Sequence, residues 1–172
     1  MRAGISPVIA TVIIVAVAIA IAIAVAFWMT GIVGLFTGFE QVKVVSVYAE
    51  WDRDNKQWNV TVTLRNTGTA DATIDEIFLN GKPFSYWEHQ NKAAAVSITV
   101  KRGNETVASG SENDLASLGG KGVPLPAGTS AAIEIVLPGP GASPALFEHG
   151  QSLEIKIHTA SGQEYPKLTT LP

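Results

Sequence analysis

The residues best suited to chemistry in this 172-residue chain are three histidines and an acidic stretch, Asp52-Arg53-Asp54-Asn55. The histidines, His89, His149 and His158, are far apart in sequence and none has the close spacing of a typical metal site. His158 falls on the polar side of a strand-like pattern, which predicts a solvated side chain. The acidic stretch lacks the glycine and the distal glutamate of an EF-hand loop. We interpret it as a polar hairpin tip, with weak calcium binding as the alternative.

Other catalytic signatures are missing from the sequence. The chain contains no cysteine, which excludes disulfides, thiolate metal sites and a cysteine nucleophile. Nucleotide-binding glycine loops and nucleophile elbows do not occur, and no serine has a recognisable base near it in the sequence. These observations predict a protein that is not an enzyme and that has no cofactor and no metal site.

The dominant feature is an uncharged apolar run from Val8 to Trp28, in which Thr11 is the only polar side chain. About 20 apolar residues in a helix cross the roughly 30 Å hydrocarbon core of a bilayer. Isoleucine or valine alternates with alanine here, as in a strand, but an isolated strand cannot satisfy its backbone groups in lipid. The run is also too long for the apolar part of a secretory signal peptide. The sequence therefore predicts a retained hydrophobic helix.

The alanines of this run, at every even position from Ala16 to Ala26, would spread around the whole circumference of a helix. Small residues let helix backbones approach closely in an apolar environment. This pattern favours close packing against several neighbouring helices, and a simple membrane anchor remains the alternative.

Both ends of the run carry boundary signals. Ser6 is suited to the N-cap and Pro7 to the first helical turn, where its missing N–H group costs nothing. Gly31, Gly34 and Gly38 follow Trp28, and glycine weakens a helix by about 1 kcal/mol relative to alanine. These glycines predict a flexible region or bend between the helix and the rest of the chain. Close helix packing at small residues is an equal alternative.

The charges are confined to the remainder of the chain. Arg2 is the only charged residue before Glu40, so 11 of the 12 basic and all 15 acidic residues lie from Glu40 onward. The resulting net charge of −4 in that part gives no electrostatic reason to expect nucleic acid as a partner.

After Glu40 the pattern changes to an alternation of apolar and polar residues, which is typical of half-buried strands. Asn80-Gly81 is a hairpin signal, because a type I′ turn needs positive φ at both central residues; it would join a strand ending at Leu79 to Lys82-Pro83-Phe84. At most one short helical turn is expected, at 113–118, and the segments 119–128 and 138–144 are expected to be surface loops. The predicted fold class is α+β, with the N-terminal helix followed by an antiparallel, immunoglobulin-like sandwich of six to eight strands. The strands are expected at 42–51, 58–65, 73–79, 95–100, 132–137, 152–158 and 164–168.

Two further features of this region bear on function. The triplets beginning at Asn59 and Asn104 match the N-glycosylation sequon, and both asparagines are expected to be exposed. The aromatic residues Trp51, Trp58, Tyr86 and Trp87 are interpreted as core or subunit-interface residues, with an adhesive surface as the alternative.

The N-terminus then resembles that of a known family. A short basic leader ending in Gly4, followed by Ile5-Ser6-Pro7-Val8-Ile9-Ala10-Thr11 and the apolar helix, is similar to the start of archaeal type IV pilins, which carry a class III signal peptide. The resemblance implies that a prepilin peptidase cuts between Gly4 and Ile5 and that pilus assembly machinery moves the mature helix from the membrane into a filament core. The glutamate that bacterial pilins have five residues into the mature chain is absent, because that position is Ile9.

Residues 1–4 are thus expected to be a leader, 5–38 a hydrophobic helix, and 39–172 an extracellular β-sandwich head. The expected function is that of a structural filament subunit with copies of itself as partners, serving adhesion or cell–cell contact. Before assembly it would be inserted in the membrane. Two alternatives stay open: an archaellin of a motility filament, and a membrane-anchored surface protein that binds a ligand and does not polymerise.

Overall fold

The computed structural model describes residues 6–90, 94–142 and 146–172, without the side chains of 34–37. The chain divides into two units, Met1–Gly38 and Phe39–Pro172. The described part of the first contains one helix, α1 (Pro7–Thr37). The described part of the second contains one short helix and ten strands. In chain order these are β1 (Val42–Asp52), β2 (Gln57–Asn66), β3 (Ala72–Leu79), β4 (Lys82–Pro83), α2 (Phe84–Gln90), β5 (Ala95–Arg102), β6 (Glu105–Ser111), β7 (Val123–Leu125), β8 (Ser130–Pro138), β9 (Ser152–Thr159) and β10 (Glu164–Thr170).

The strands form two sheets in which every pairing is antiparallel. The first sheet has the order β1-β2-β8-β5-β6, and the second has the order β10-β9-β3-β4, with β7 paired to β3. The predicted fold class, α+β with a long apolar N-terminal helix followed by antiparallel β-structure, is confirmed. The immunoglobulin-like topology is a finer assignment and stays a prediction.

The apolar alternation of the strands builds the core of the second unit. In β2 every second residue, from Trp58 to Leu64, is fully buried, and the residues between them lie on the outer side. The same alternation in β5 and β8 of this sheet, and in β9 of the second sheet, supplies further core side chains. Burial of apolar area at roughly 25 cal/mol per Å² is the main force that holds the two sheets together.

The Asn80-Gly81 turn has the backbone that the sequence predicts, with φ of 50° and 73°. The strand expected after it is wrong in extent, however, because β4 has only two residues and Phe84 begins α2. Phe84 is fully buried and the Trp87 indole N–H donates to the Leu79 carbonyl at 3.1 Å. A seven-residue helix is too short for its periodicity to be recognised, so tertiary burial decides this segment.

Two strands, β6 and β7, lie where the sequence predicts no strand. β6 is an edge strand with the sequence ETVASGS, whose residues are exposed or half-buried, so it has no apolar alternation. β7 lies inside the expected loop 119–128, and its Val123 and Leu125 are buried; the expectation of a surface loop is wrong there. In the segment 138–144, Pro138 ends β8 and residues 143–144 lie outside the described residues. The expected helical turn at 113–118 is a pair of 3₁₀ turns, Glu112–Asp114 and Ala116–Leu118.

The first residues of the second unit are fixed by the turn between β2 and β3. The Phe39 carbonyl accepts hydrogen bonds from the amides of Thr69 and Ala70, both at 3.0 Å, and the Gln41 carbonyl accepts from Thr67 at 2.8 Å. Gly68 lies against this backbone, and a Cβ there would stand 2.5 Å from the Phe39 oxygen. We call residues 39–41 with this turn the entry clamp.

Buried Asn66 holds the turn of the entry clamp in place. Its side-chain amide donates to the carbonyls of Ala70 and Leu125, both at 2.9 Å, and its oxygen accepts from the Gly68 amide at 3.0 Å. Because all these groups are satisfied, a fully buried polar side chain is tolerated and specifies the turn.

Glu40 ties the entry clamp to the second sheet. Its carboxylate accepts hydrogen bonds from Thr159 Oγ1 at 2.5 Å and from the Tyr165 hydroxyl at 3.5 Å. Burial, with a further contribution from the negative charge of Glu40, raises the pKa of Tyr165 above its ordinary value.

We predict that Gly68→Ala lowers the free energy of unfolding of the second unit by about 1–3 kcal/mol, because the new methyl group overlaps backbone that cannot move without breaking the entry clamp. Gly38→Ala is the matched control, since nothing lies within 4 Å of its Cβ position. Thermal unfolding followed by circular dichroism would measure both. Equal stability of the two variants would contradict the proposed role of Gly68.

A second prediction concerns alkaline pH. Because the folded chain raises the pKa of Tyr165, the unfolded chain releases this proton more readily, so stability is present below pH ~10 and is lost as the pH rises further. Tyr165→Phe should therefore show a shallower loss of stability above pH ~10 than the wild type. Denaturant unfolding at a series of pH values would test this, and identical slopes would refute it.

Candidate assembly surfaces

The surface of α1 is apolar on every side. The segment Pro7–Val33 has 27 residues, and its most apolar stretch of 18 residues has a mean hydropathy of 3.2 and is not buried within the chain. At about 1.5 Å per residue it is roughly 40 Å long, which exceeds the roughly 30 Å hydrocarbon core of a bilayer. By length and composition it is therefore long enough to cross a membrane.

The hydroxyl groups of Thr11 and Thr30 are satisfied within α1. Thr11 Oγ1 donates to the Val8 carbonyl and Thr30 Oγ1 donates to the Ala26 carbonyl, both at 2.8 Å. An unpaired polar group would be costly in an apolar environment. These internal bonds make α1 equally compatible with lipid and with apolar neighbours of protein.

The alanines shape that surface. Around Ala16 the helix has a shallow groove, which is lined by Thr11, Val12, Val15 and Ile19. Grooves beside small residues receive the side-chain ridges of a neighbouring helix. The groove gives the expectation of close helix packing a geometric basis. The helix that would fill the groove belongs to another molecule.

The predicted N-terminal residues are placed only in part. Pro7 is the first helical residue, and the Ser6 carbonyl accepts from the amides of Ile9 and Ala10 at 2.9 and 3.2 Å. Ser6 occupies the N-cap position, but its side chain makes no capping hydrogen bond, unlike the expectation from its residue type. Gly4 and Ile5 lie outside the described residues.

The three glycines near the end of α1 differ in position. Gly31 and Gly34 lie within the continuous helix, whereas Gly38 follows its last residue in an extended conformation, with φ of −90°. Only Gly38 therefore separates α1 from the entry clamp. Flexibility at these glycines stays a prediction.

The residues first examined for chemistry have structural roles. Asp52 is at the β1–β2 tip, where Oδ1 accepts from the amides of Asp54 and Asn55, and the Asn55 hydrogen bonds lower the pKa of Asp52. His158 is not simply solvated as expected, because it is half-buried and its Nδ1 lies 2.6 Å from Asp75 Oδ1. Within the described residues no group of three or more His, Cys, Asp or Glu side chains could hold a metal.

The aromatic residues belong mainly to the core. Trp58 is fully buried, its ring lies 4.8 Å from that of Trp51, and its N–H donates to the Phe147 carbonyl at 3.2 Å. Trp87 is partly buried against Phe147, with ring centroids 4.9 Å apart. Tyr86 alone among the four predicted residues is exposed. The core interpretation therefore describes three of the four.

A set of charges that sequence patterns did not reveal lies on the outer face of the first sheet. Lys43 is opposite Arg65, Arg65 is opposite Ser130, and Ser130 is opposite Lys101 in the register of β1, β2, β8 and β5. We call Lys43, Arg65 and Lys101 the basic row. All three side chains are exposed, and none forms an ion pair in the described part of the chain.

No protein family model matches this sequence, and no curated protein matches it either. Among solved structures the chain is similar to the Iho670 flagellar-like filament, with 15% identity, a TM-score of 0.37 and coverage of 97% of this chain and 99% of that chain. It is also similar to the archaeal flagellum of Methanospirillum hungatei strain JF1, with 14% identity, a TM-score of 0.39 and coverage of 95% and 88%. Likeness at these identities and TM-scores does not assign a family, so function has to be inferred from the chain's own residues.

The two sequons predict different glycosylation. Asn104 is exposed at the tip between β5 and β6, whereas Asn59 lies within β2 between two paired strands and is half-buried rather than exposed as expected. If the native host glycosylates this chain, we predict a glycan at Asn104 and none at Asn59, because the modifying enzyme needs an accessible chain. Glycopeptide mass spectrometry of the natural protein would test this, with Asn104→Gln and Asn59→Gln as paired variants. A glycan on Asn59 would contradict it.

Proposed function

We propose that this chain is a structural subunit of an archaeal type IV pilus-like extracellular filament that polymerises through α1. The single observation that carries the proposal is the 27-residue apolar segment of α1, whose most apolar 18 residues are not buried inside their own chain. Such a surface needs lipid or other apolar helices around it, since exposure to water costs roughly 25 cal/mol per Å². A helix rich in alanine is suited both to lipid and to close packing against other helices.

The N-terminal residues support the choice of filament class. Ser6-Pro7-Val8-Ile9-Ala10-Thr11 leads directly into α1, as in the pilins that the sequence resembles. In this proposal a prepilin peptidase removes residues 1–4 and Ile5 becomes the first mature residue. Assembly machinery then transfers α1 from the membrane to the filament core, and the second unit lies outside as the extracellular head.

The mechanism is association rather than catalysis. Each copy contributes one long helix to a shared apolar core, and repetition of a head-to-tail contact that does not close gives a helical polymer. A filament held by many such helices resists pulling, which suits adhesion or cell–cell contact.

Electron microscopy of filaments sheared from cells, with mass spectrometry of their N-terminal peptide, tests the proposal. Filaments that contain this chain and begin at Ile5 would support both assembly and cleavage. Loss of swimming in a deletion strain would instead favour a motility filament. A chain found only in membranes, with no filament, would favour an anchored ligand-binding protein and refute the proposal.

A charge in the middle of α1 should prevent assembly. We predict that Ala20→Lys lowers the filament yield on the order of a hundredfold, because a lysine at the centre of an apolar helix costs about 3 kcal/mol even for membrane insertion. Val107→Lys, on exposed β6, is the matched control and should assemble normally. Normal filaments from Ala20→Lys would show that α1 is not in an apolar core.

A further inference from the structure

The basic row is electrostatically unfavourable in the isolated chain. Neighbouring strands are about 4.8 Å apart, so three cations distributed over four strands span only about 14 Å. Like charges that face each other across strands are destabilising. None of the three forms an ion pair among the described residues, and Glu105, at the start of β6, is opposite Arg102 rather than Lys101. The row is therefore suited to an anionic ligand from outside the chain.

An open groove of about 540 Å³ lies at the β1 end of the basic row. Lys43 and Arg65 line this groove together with Val45, Thr67 and Gly128. Val45 is 56% exposed, so the groove places an apolar surface beside two cations. Binding sites typically combine an apolar lining with a few polar groups that fix the orientation of the ligand. The groove thus suits a ligand that has both apolar C–H faces and anionic groups.

Hydroxyl side chains accompany the basic row on the outer face of the first sheet. Ser130 lies within the row, between Arg65 and Lys101. The next outward positions on β2 and β5 are Thr63 and Thr99, which are both opposite Ala132 in the register of β8. Because a hydroxyl group can both donate and accept hydrogen bonds, this surface matches a ligand that is rich in hydroxyl groups as well as negatively charged.

Two carboxylates on the same face limit the width of the ligand. Glu134 is opposite Thr61 on β2. Glu50 is opposite Asn59, and both glutamates are exposed; we call them the acidic pair. Thr61 is four residues from Arg65, which corresponds to roughly 13 Å. A bilayer surface or a nucleic acid duplex that covered this face would bring negative charge against the acidic pair, whereas a single linear chain that follows the row would not.

The position of the exposed tyrosine on this face disfavours single-stranded nucleic acid. Proteins that bind such strands stack the bases on aromatic side chains beside the cations. Tyr48 is opposite Thr61, so it lies in the row of Glu134 and not in the basic row. The ligand that best fits the cations, the groove and the hydroxyl groups is therefore a carbohydrate polymer with anionic groups.

We propose that the basic row binds a linear acidic polysaccharide, whose carboxylate or sulfate groups contact the three cations as the polymer crosses the strands. The inference rests on the proposed function, because an extracellular filament would expose this face to such polymers, and it gives the adhesive partner a chemical class. Binding would also relieve the repulsion between the cations, and complementary charge favours the correct partner.

Charge reversal of the basic row tests the site. The full-length chain, purified in a nonionic detergent, is expected to bind immobilised polygalacturonate and dextran sulfate but not neutral dextran, and to bind more weakly as the salt concentration rises. Arg65→Glu with Lys101→Glu should lower the affinity about tenfold or more. Lys121→Glu with Lys167→Glu is the matched control, since it makes the same change in net charge at exposed residues outside the first sheet. The control should bind as the wild type does.

Lysine protection on the unaltered chain provides a second measurement that does not depend on the folding of any variant. Bound polysaccharide should slow the acetylation of Lys43 and Lys101, as measured by mass spectrometry, and should leave Lys121 and Lys167 unchanged. The same readout applies to oligodeoxythymidine and to the chain reconstituted in phosphatidylcholine vesicles with or without phosphatidylglycerol.

The outcomes separate this inference from the proposed function. Equal affinity of the Arg65→Glu/Lys101→Glu variant and its control would overturn the polysaccharide site. Protection of Lys43 and Lys101 by phosphatidylglycerol or by oligodeoxythymidine, and not by the polysaccharides, would overturn it in favour of lipid or nucleic acid. The binding assay needs no filament, so either result would leave the filament proposal intact. Absence of filaments from cells would refute the proposed function whatever the binding assay shows.

Discussion

The structure depends on one constraint: the apolar surface of α1 must be kept from water, and the described residues do not bury its most apolar stretch. The described part of the helix is apolar on all sides, and its threonines satisfy their hydroxyl groups internally. The hydrophobic effect therefore requires an external apolar environment. In the proposed assembly, lipid would supply it before polymerisation and the helices of other copies would supply it in the filament.

The entry clamp gives this constraint a mechanical consequence. Gly38 is the only residue between the end of α1 and the Phe39 carbonyl, which is held by the β2–β3 turn. A pull on the helix is transmitted through that backbone to a turn that buried Asn66 fixes and to Glu40, whose carboxylate is bonded to the second sheet. Hydrogen bonds to buried, fully satisfied groups are costly to break. The entry clamp therefore fixes the chain from Phe39 and Glu40 onward.

Sequence patterns predicted what local physics determines. The length and composition of α1 and the period-two burial of β2, β5, β8 and β9 follow from hydrophobic patterning, and the Asn80-Gly81 turn follows from its need for positive φ. Patterns could not predict features that depend on tertiary neighbours. Phe84 begins α2 because it is buried in the core, and β6 is a strand because it pairs with β5. His158 contacts Asp75 only because β9 pairs with β3. The basic row could not be predicted from sequence patterns for the same reason, because Lys43, Arg65 and Lys101 become neighbours only through the register of four strands.

A helical reconstruction of the native filament by electron cryomicroscopy would test the central claim most directly. The account predicts density for α1 in a central bundle, in van der Waals contact with the α1 helices of several other copies and shielded from solvent, with residues 39–172 on the outside. A filament in which residues 7–33 face solvent, or in which the heads alone make the contacts between copies, would contradict it.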